Sequence, residues 1–227
     1  SGHGDPEIWM LMQTVWAADD SRERLDLSEL AQEVSSPFVL RLWLMSISYK
    51  KPLGYSVDAL KMWEHNWKRV QNLMAGLIHA DARGSSVDSR VEQLLFDLKK
   101  GLTEALEDDL RLYRFWPVLF DFCRTVNKML DADQVNRVEA ELIVERLGAI
   151  DQTLGIIDWG QLPQAPKDWP DGVADKVRAR DAAKKSKDFA TADRLRNELG
   201  DLGFRVEDTP KGTRLYRAGG RGVRVDG

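Results

Sequence analysis

The sequence predicts a mainly α protein: an antiparallel helical bundle, then a small C-terminal α+β domain made of a helix pair and a two-stranded hairpin. Three observations carry this expectation. Apolar residues recur at helical spacing through most of the first 160 positions. Residues 161–172 then hold three prolines and a glycine, the clearest linker in the chain. Beyond Gly203 the period shortens, and Phe204, Val206, Leu215 and Tyr216 flank the turn-forming run Asp208-Thr209-Pro210-Lys211-Gly212.

The elements follow in order. Residues 1–24 carry Ile8 to Met12 and Val15-Trp16 before the charged run Asp19 to Arg24, which suggests a short helix and a polar linker. Leu27, Leu30, Ala31 and Val34 have helical spacing, with Ser28 placed to help cap the start. Pro37 opens a second helix, apolar almost all round and therefore expected to be buried, which Pro52 and Gly54 end. Ser56 is an N-cap signal for a long helix through Leu60, Trp63, Trp67, Val70 and Leu77. After the loop 81–86, a helix runs through Val91 and Leu98 toward Leu110. Pro117 suits the first turn of the next, which reaches Leu130. Asp133 is the expected cap of a helix over Val135 to Leu147, with Gly148 near its end. Val173 to Ser186 reads as a charged helix, and Asp188 or Thr191 starts its partner, which Gly203 stops. Residues 218–227 are Gly/Arg-rich and expected to fray.

Composition narrows the function. The chain has 227 residues, 43% hydrophobic and 31% charged, with a net charge of −4. No stretch approaches the roughly 20 apolar residues of a membrane span, so no membrane partner is expected. The first residues have no signal-peptide pattern, and with a single cysteine, Cys123, a cytoplasmic setting is expected. His65 and His79 lack a second ligand nearby in sequence, so no metal site is expected, and Cys123 reads as a small core residue. Charge is uneven: residues 171–227 carry +4 and the remainder −8, while all eight tryptophans precede residue 170. A basic unit on an acidic body suits an anion such as RNA, although a solvated Lys-rich helical face gives the same count.

Three segments resemble one family. Lys187-Asp188-Phe189-Ala190-Thr191-Ala192-Asp193-Arg194-Leu195-Arg196-Asn197-Glu198-Leu199, with Gly203 to Thr213 behind it, resembles the C-terminal end of bacterial cysteinyl-tRNA synthetases. Val39 to Ser46, with Tyr49, Pro52-Leu53 and Tyr55-Ser56, is similar to the segment that follows their catalytic domain. Ala105-Leu106-Glu107-Asp108-Asp109-Leu110 is similar to the start of a helix in their bundle. The sequence departs from the family pattern in several places. The H-I-G-H and K-M-S-K-S nucleotide motifs and the zinc ligands have no counterpart. Ser48 stands for the family's His, Arg111-Leu112 for Asn-Thr, and Leu215 for the Trp of the final motif.

The resemblance implies the non-catalytic half of a cysteine–tRNA ligase. It divides the chain into an unplaced leader (1–24), stem-contact-like helices (25–57), a helical bundle of the DALR type (58–160), the linker (161–172), an anticodon-binding-like α+β domain (173–217) and a tail (218–227). The implied partner is tRNA, cysteine-specific, with a catalytic synthetase domain in cis or in trans. ATP, Mg and Zn would belong to the missing catalytic domain and no cofactor to this chain, which alone is expected to be inactive. The alternative is a stand-alone synthetase-like paralogue acting as a protein-interaction or dimerisation module.

The candidate tRNA-binding residues are Lys184, Lys185, Phe189, Asp193, Asp208, Lys50 and Lys51. Lysines meet phosphates, an aromatic ring stacks on an unstacked base, and carboxylates accept from base amino groups. By the resemblance, anticodon contacts fall at Lys184, Phe189, Asp193 and Asp208. By residue type alone, Phe189 fits the small domain's core equally well, Asp193 fits a solvated helix and Asp208 a turn cap. Arg41, on an apolar helix, is expected to pair with a carboxylate such as Glu29 or Asp58.

Overall fold

A computed structural model describes residues 15–17, 27–80, 82–210 and 212–218. Eight α-helices, two short parallel strands and one antiparallel hairpin make up the described residues. No helix among them is long and apolar enough to cross a membrane. They fall into two compact units: one takes the described residues up to 70 with 87–126 and 146–157, the other those from 71 to 86 with 127–145 and those from 158 onward.

In the first unit, β1 (Val15–Ala17) pairs in parallel with β2 (Leu53–Tyr55). Both assignments correct the sequence reading, which put Val15-Trp16 at the end of a helix and took Pro52-Gly54 only as a helix stop. The rest of the expected N-terminal helix lies outside the described residues. Helix α1 (Leu27–Glu33) holds Ser28 within its first turn. Helix α2 (Pro37–Leu44) has Pro37 in its first turn and Ser36 as N-cap. Val39, Leu40, Leu42 and Trp43 are all buried, as its nearly continuous apolar run predicts.

Ser56 accepts from the Ala59 amide at 3.1 Å and starts α3 (Val57–Ile78). Helix α4 (Ser89–Glu107) is capped by Asp88 and tolerates Gly101, where a side chain would crowd Val118. Helix α5 (Phe115–Asp131) holds Pro117 in its first turn, where its missing N–H costs nothing. Trp63 packs edge-on against Trp116, which donates its indole N–H to the Met45 carbonyl at 3.0 Å. Cys123, also on α5, is buried, and burial pushes its thiol up to about 12.

Helix α6 (Arg137–Leu154) runs past Gly148 because Ile150 and Leu154 keep the apolar spacing. Its end is pinned three ways. Arg41 donates to the Leu154 carbonyl, the buried Asp151 carboxylate accepts from the amides of Ile156 and Ile157, and the Trp67 indole donates to the Ile156 carbonyl at 3.0 Å. Arg41 therefore meets a helix C-terminus, where a cation is favoured; among the described residues it has no carboxylate partner, and the side chain of Glu29, one of the two expected from sequence, lies outside them. Gly155 sits at φ +59, and an added Cβ would lie 3.1 Å from the Arg41 Nε.

In the second unit, Asp133 terminates α5 instead of capping α6. It sits at φ +54, and the Gln134 amide reaches back to the Met129 carbonyl at 2.8 Å, the bond pattern of a Schellman ending. The cap of α6 is Asn136. It accepts from the Glu139 amide at 3.1 Å while Glu139 accepts from the Asn136 amide at 2.9 Å, a reciprocal capping box.

A single turn of 3-10 helix, Trp159–Gln161, leads into segment 161–172, which contains a second, Pro166–Asp168. The Gln164 amide donates to the Leu215 carbonyl at 2.8 Å, and Trp169 packs on the small core beyond. That core is built by α7 (Val173–Lys185), α8 (Phe189–Asp201), β3 (Phe204–Thr209) and β4 (Gly212–Arg217). Val173, Val177, Leu199, Phe204, Val206 and Leu215 fill it. Alternation along β3 puts Phe204 and Val206 inward, and the pair Val206–Leu215 faces the helices. Gly203 takes φ +82 between α8 and β3 with open space around it, so its role is conformational.

Candidate nucleic-acid interface

The corner between α7 and α8 is a second Schellman ending. Ser186 is the C-cap, Lys187 sits at φ +62, and the Asp188 amide donates to the Ala183 carbonyl at 2.8 Å. Asp188 then caps α8 by accepting from the Thr191 amide at 3.1 Å, and these bonds from Thr191 hold its carboxyl below the usual range. The chain thus reverses within three residues. Lys184 and Lys185 end one helix, where cations complement the dipole, and Phe189 begins the other.

Phe189 is 63% exposed, which settles its position against the core alternative. Asp193, one turn further along α8, shares its face and is exposed. Lys185 is exposed too, and among the described residues the side chain of neither Lys185 nor Asp193 forms a hydrogen bond or ion pair.

Asp208 is the most constrained member. The buried Arg180 guanidinium grips it with two bonds of 2.8 Å, Nη1 to Oδ1 and Nη2 to Oδ2, and Lys184 Nζ adds a third at 2.8 Å to Oδ2. The Arg180 fork, then Lys184, holds the Asp208 carboxyl well below the usual carboxylate range, so it is ionised at any ordinary pH. Behind the fork, Thr213 Oγ1 donates to Asp181 Oδ1 at 2.7 Å, and Asp181 also accepts from Arg180 at 3.3 Å. The structure therefore brings together Lys184 and Asp208 beside a corner that carries Lys185 and Phe189, with Asp193 on the adjoining helix face.

Sequence reasoning missed Arg180. Its only signal is spacing: with Val173, Val177 and Ala183 it falls on the buried stripe of α7, where a charged residue needs a partner.

Lys50 and Lys51 lie in the first unit, after α2. Lys50 Nζ meets Asp109 Oδ2 at 2.5 Å, while the Lys51 side chain is exposed and has no hydrogen-bond or ion-pair partner among the described residues. Tyr49 also donates to Asp109, so two of the segments singled out in sequence meet each other directly. Among the described residues no group of three or more His, Cys, Asp or Glu could hold a metal ion.

Residues 167–216, which span this corner and the hairpin, match the family described as Cysteinyl-tRNA ligase anticodon binding domain. The chain is 32% identical to a Cysteine–tRNA ligase of Lactobacillus gasseri over 80% of its own length and 38% of the relative's. It is 30% identical to one from Halorhodospira halophila over 96% of its length and 46% of the relative's. The chain belongs to the cysteinyl-tRNA ligase family. A third relative, from Limosilactobacillus fermentum, is 28% identical over 96% of the chain and 47% of its own length. The chain thus spans less than half the length of each of these ligases. The match to the anticodon-binding family begins within the linker, at Lys167, and includes Trp169, which packs on the small core.

Proposed function

We propose that this chain is the non-catalytic, tRNA-binding portion of a cysteine–tRNA ligase, and that its α7–α8 corner with the adjoining β3 reads the anticodon loop. The observation that carries the reading is the exposed Phe189 ring beside Lys184, Lys185 and the ionised Asp208. An anticodon loop presents unstacked bases between phosphates, and this corner offers a stacking face, ammonium groups and a fixed acceptor in one place. Asp193 adds a second acceptor on the Phe189 face. Lys51, with Lys50 tethered beside it, is assigned to phosphates of the tRNA stem. ATP, Mg and Zn chemistry is assigned to no residue of this chain, and the catalytic work to a synthetase domain in cis or in trans.

The test is a titration of the full chain with an RNA stem-loop carrying the cysteine anticodon, and with the same stem-loop carrying a swapped anticodon, at several salt concentrations. The expected result is affinity that falls steeply with salt for both RNAs and a preference for the cysteine loop of about tenfold or more. Equal affinity for the two loops would overturn the anticodon reading. No RNA affinity, together with a solution mass of two chains, would favour the dimerisation module instead.

A further inference from the structure

We infer that Arg180 is a positioning residue for base recognition: it fixes the Asp208 carboxylate so that one acceptor position, on Oδ1, is presented to an N–H donor on a base edge. This rests on the anticodon reading above.

A carboxylate offers about four lone-pair positions. Arg180 occupies one on each oxygen, and Lys184 takes the second on Oδ2. Among the described residues the remaining position on Oδ1 has no donor, and the Asp208 side chain is 41% exposed. A lone surface carboxylate would rotate freely and be satisfied equally well by water. The two-bond fork removes that freedom and sets the carboxylate plane.

The fork is itself fixed. Arg180 is 3% exposed, and Asp181, oriented by the Thr213 hydroxyl, braces Nη1 from the other side. Stability alone does not call for this arrangement. Arg180 occupies an apolar-stripe position of α7, where a well-packed hydrophobic side chain is as good as a buried ion pair or better. The Arg180 Nε is also left without a hydrogen bond. What the buried cation adds is a fixed anion at the surface, beside Lys184 and next to the corner that bears Phe189. The four charges of Arg180, Lys184, Asp181 and Asp208 balance, so the group contributes direction rather than net attraction for RNA. The ligand it fits is a base amino or imino group.

The experiment measures, for the full chain, the ratio of affinities for the cysteine and swapped-anticodon stem-loops, the salt slope and the melting temperature. Arg180→Lys keeps the charge and loses the fork. It is expected to reduce the ratio about tenfold at an unchanged salt slope, as Asp208→Asn does by removing the acceptor. Thr213→Val keeps Arg180 and loosens its brace, with an expected loss of about threefold, and it decides the matter if Arg180→Lys does not fold. Wild-type discrimination in a folded Arg180→Lys, or in Thr213→Val where that protein does not fold, alongside lost discrimination in Asp208→Asn, overturns the inference and leaves the anticodon reading standing. Wild-type discrimination in Asp208→Asn overturns the reading at Asp208 and the inference with it.

Discussion

The Tyr49 hydroxyl donates to Asp109 Oδ1 at 2.8 Å across 60 residues of sequence. Lys50 takes the other oxygen, and these two partners, Lys50 first, hold the Asp109 carboxyl below its ordinary range. Asp109 and Leu110 both sit at positive φ, +58 and +54, after the end of α4. A side chain bonded in two directions keeps this unfavourable backbone pair in place.

Two substitutions separate the two bonds. Asp109→Asn keeps an acceptor for Tyr49 and removes the charge that Lys50 meets at an exposed site. Its loss of melting temperature is expected to be largest at low salt and to shrink as salt rises. Tyr49→Phe removes only the hydroxyl, and its loss is expected to be nearly independent of salt. Melting curves at low and high salt check both. The same dependence for the two variants would show that the charge of Asp109 is irrelevant to its hold on this corner.

The end of α6 gives a second prediction. Gly155→Ala places a side chain at φ +59 and pushes its Cβ toward the Arg41 guanidinium. A left-handed alanine costs about 1–2 kcal/mol before any displacement of Arg41. Denaturant unfolding should show a loss of at least that size. Arg41→Ala in the Gly155→Ala background should then lose less than it does alone, since both act on one contact.

Much of this architecture was legible because local chemistry is written locally. Ser56, Pro37, Asp188 and Gly203 mark helix ends by properties of one residue and its near neighbours, and the structure uses each as expected. The failures share a different cause. Asp133 and Asn136 are both good N-caps on paper, and only the tight ending of α5 decides that Asp133 is left-handed and Asn136 does the capping. The pairing of Val15–Ala17 with Leu53–Tyr55 depends on residues almost 40 apart, which no periodicity reports. The bond from Arg41 to the Leu154 carbonyl could not be foreseen, because a backbone carbonyl at a distant helix end leaves no mark in sequence. At the candidate interface, Lys184, Phe189 and Asp208 were identifiable by motif. Arg180, the residue that organises Asp208, was hidden among the charges of α7 because burial of one arginine in a polar helix is decided by the hairpin opposite.

The Arg180–Asp208 pair also predicts a pH dependence. The folded chain protonates Asp208 at lower pH than the unfolded chain does, because Arg180 and then Lys184 favour the carboxylate. The stabilisation is therefore complete above the unfolded carboxylate's pKa, about 4, and is lost as pH falls below it. The difference in melting temperature between the native sequence and Asp208→Asn should be greatest near neutrality and narrow steadily from about pH 4 downward. Asp188 and Glu198 are also held low, but they are common to both proteins and cancel in the difference. A constant difference through this range would assign the effect of Asn to packing instead of charge.

The α7–α8 corner allows stability and RNA binding to be moved in opposite directions. Lys187 adopts φ +62 where glycine is the usual residue, so Lys187→Gly relieves backbone strain and is expected to raise stability by about 1 kcal/mol. If the lysine meets a phosphate, the same change should flatten the salt slope of RNA binding by about one. Phe189→Ala probes the other contribution. With 63% of the residue already exposed, its removal should leave the melting temperature almost unchanged. Loss of a stacked base should still weaken binding by about 1–3 kcal/mol, with the salt slope intact. Unfolding and RNA titration of both variants give four numbers. A Phe189→Ala protein that binds RNA as well as the native sequence would show that the exposed ring stacks on no base, and would move the recognition surface away from this corner. A Phe189→Ala protein that melts early would instead assign the ring to packing between α8 and its neighbours.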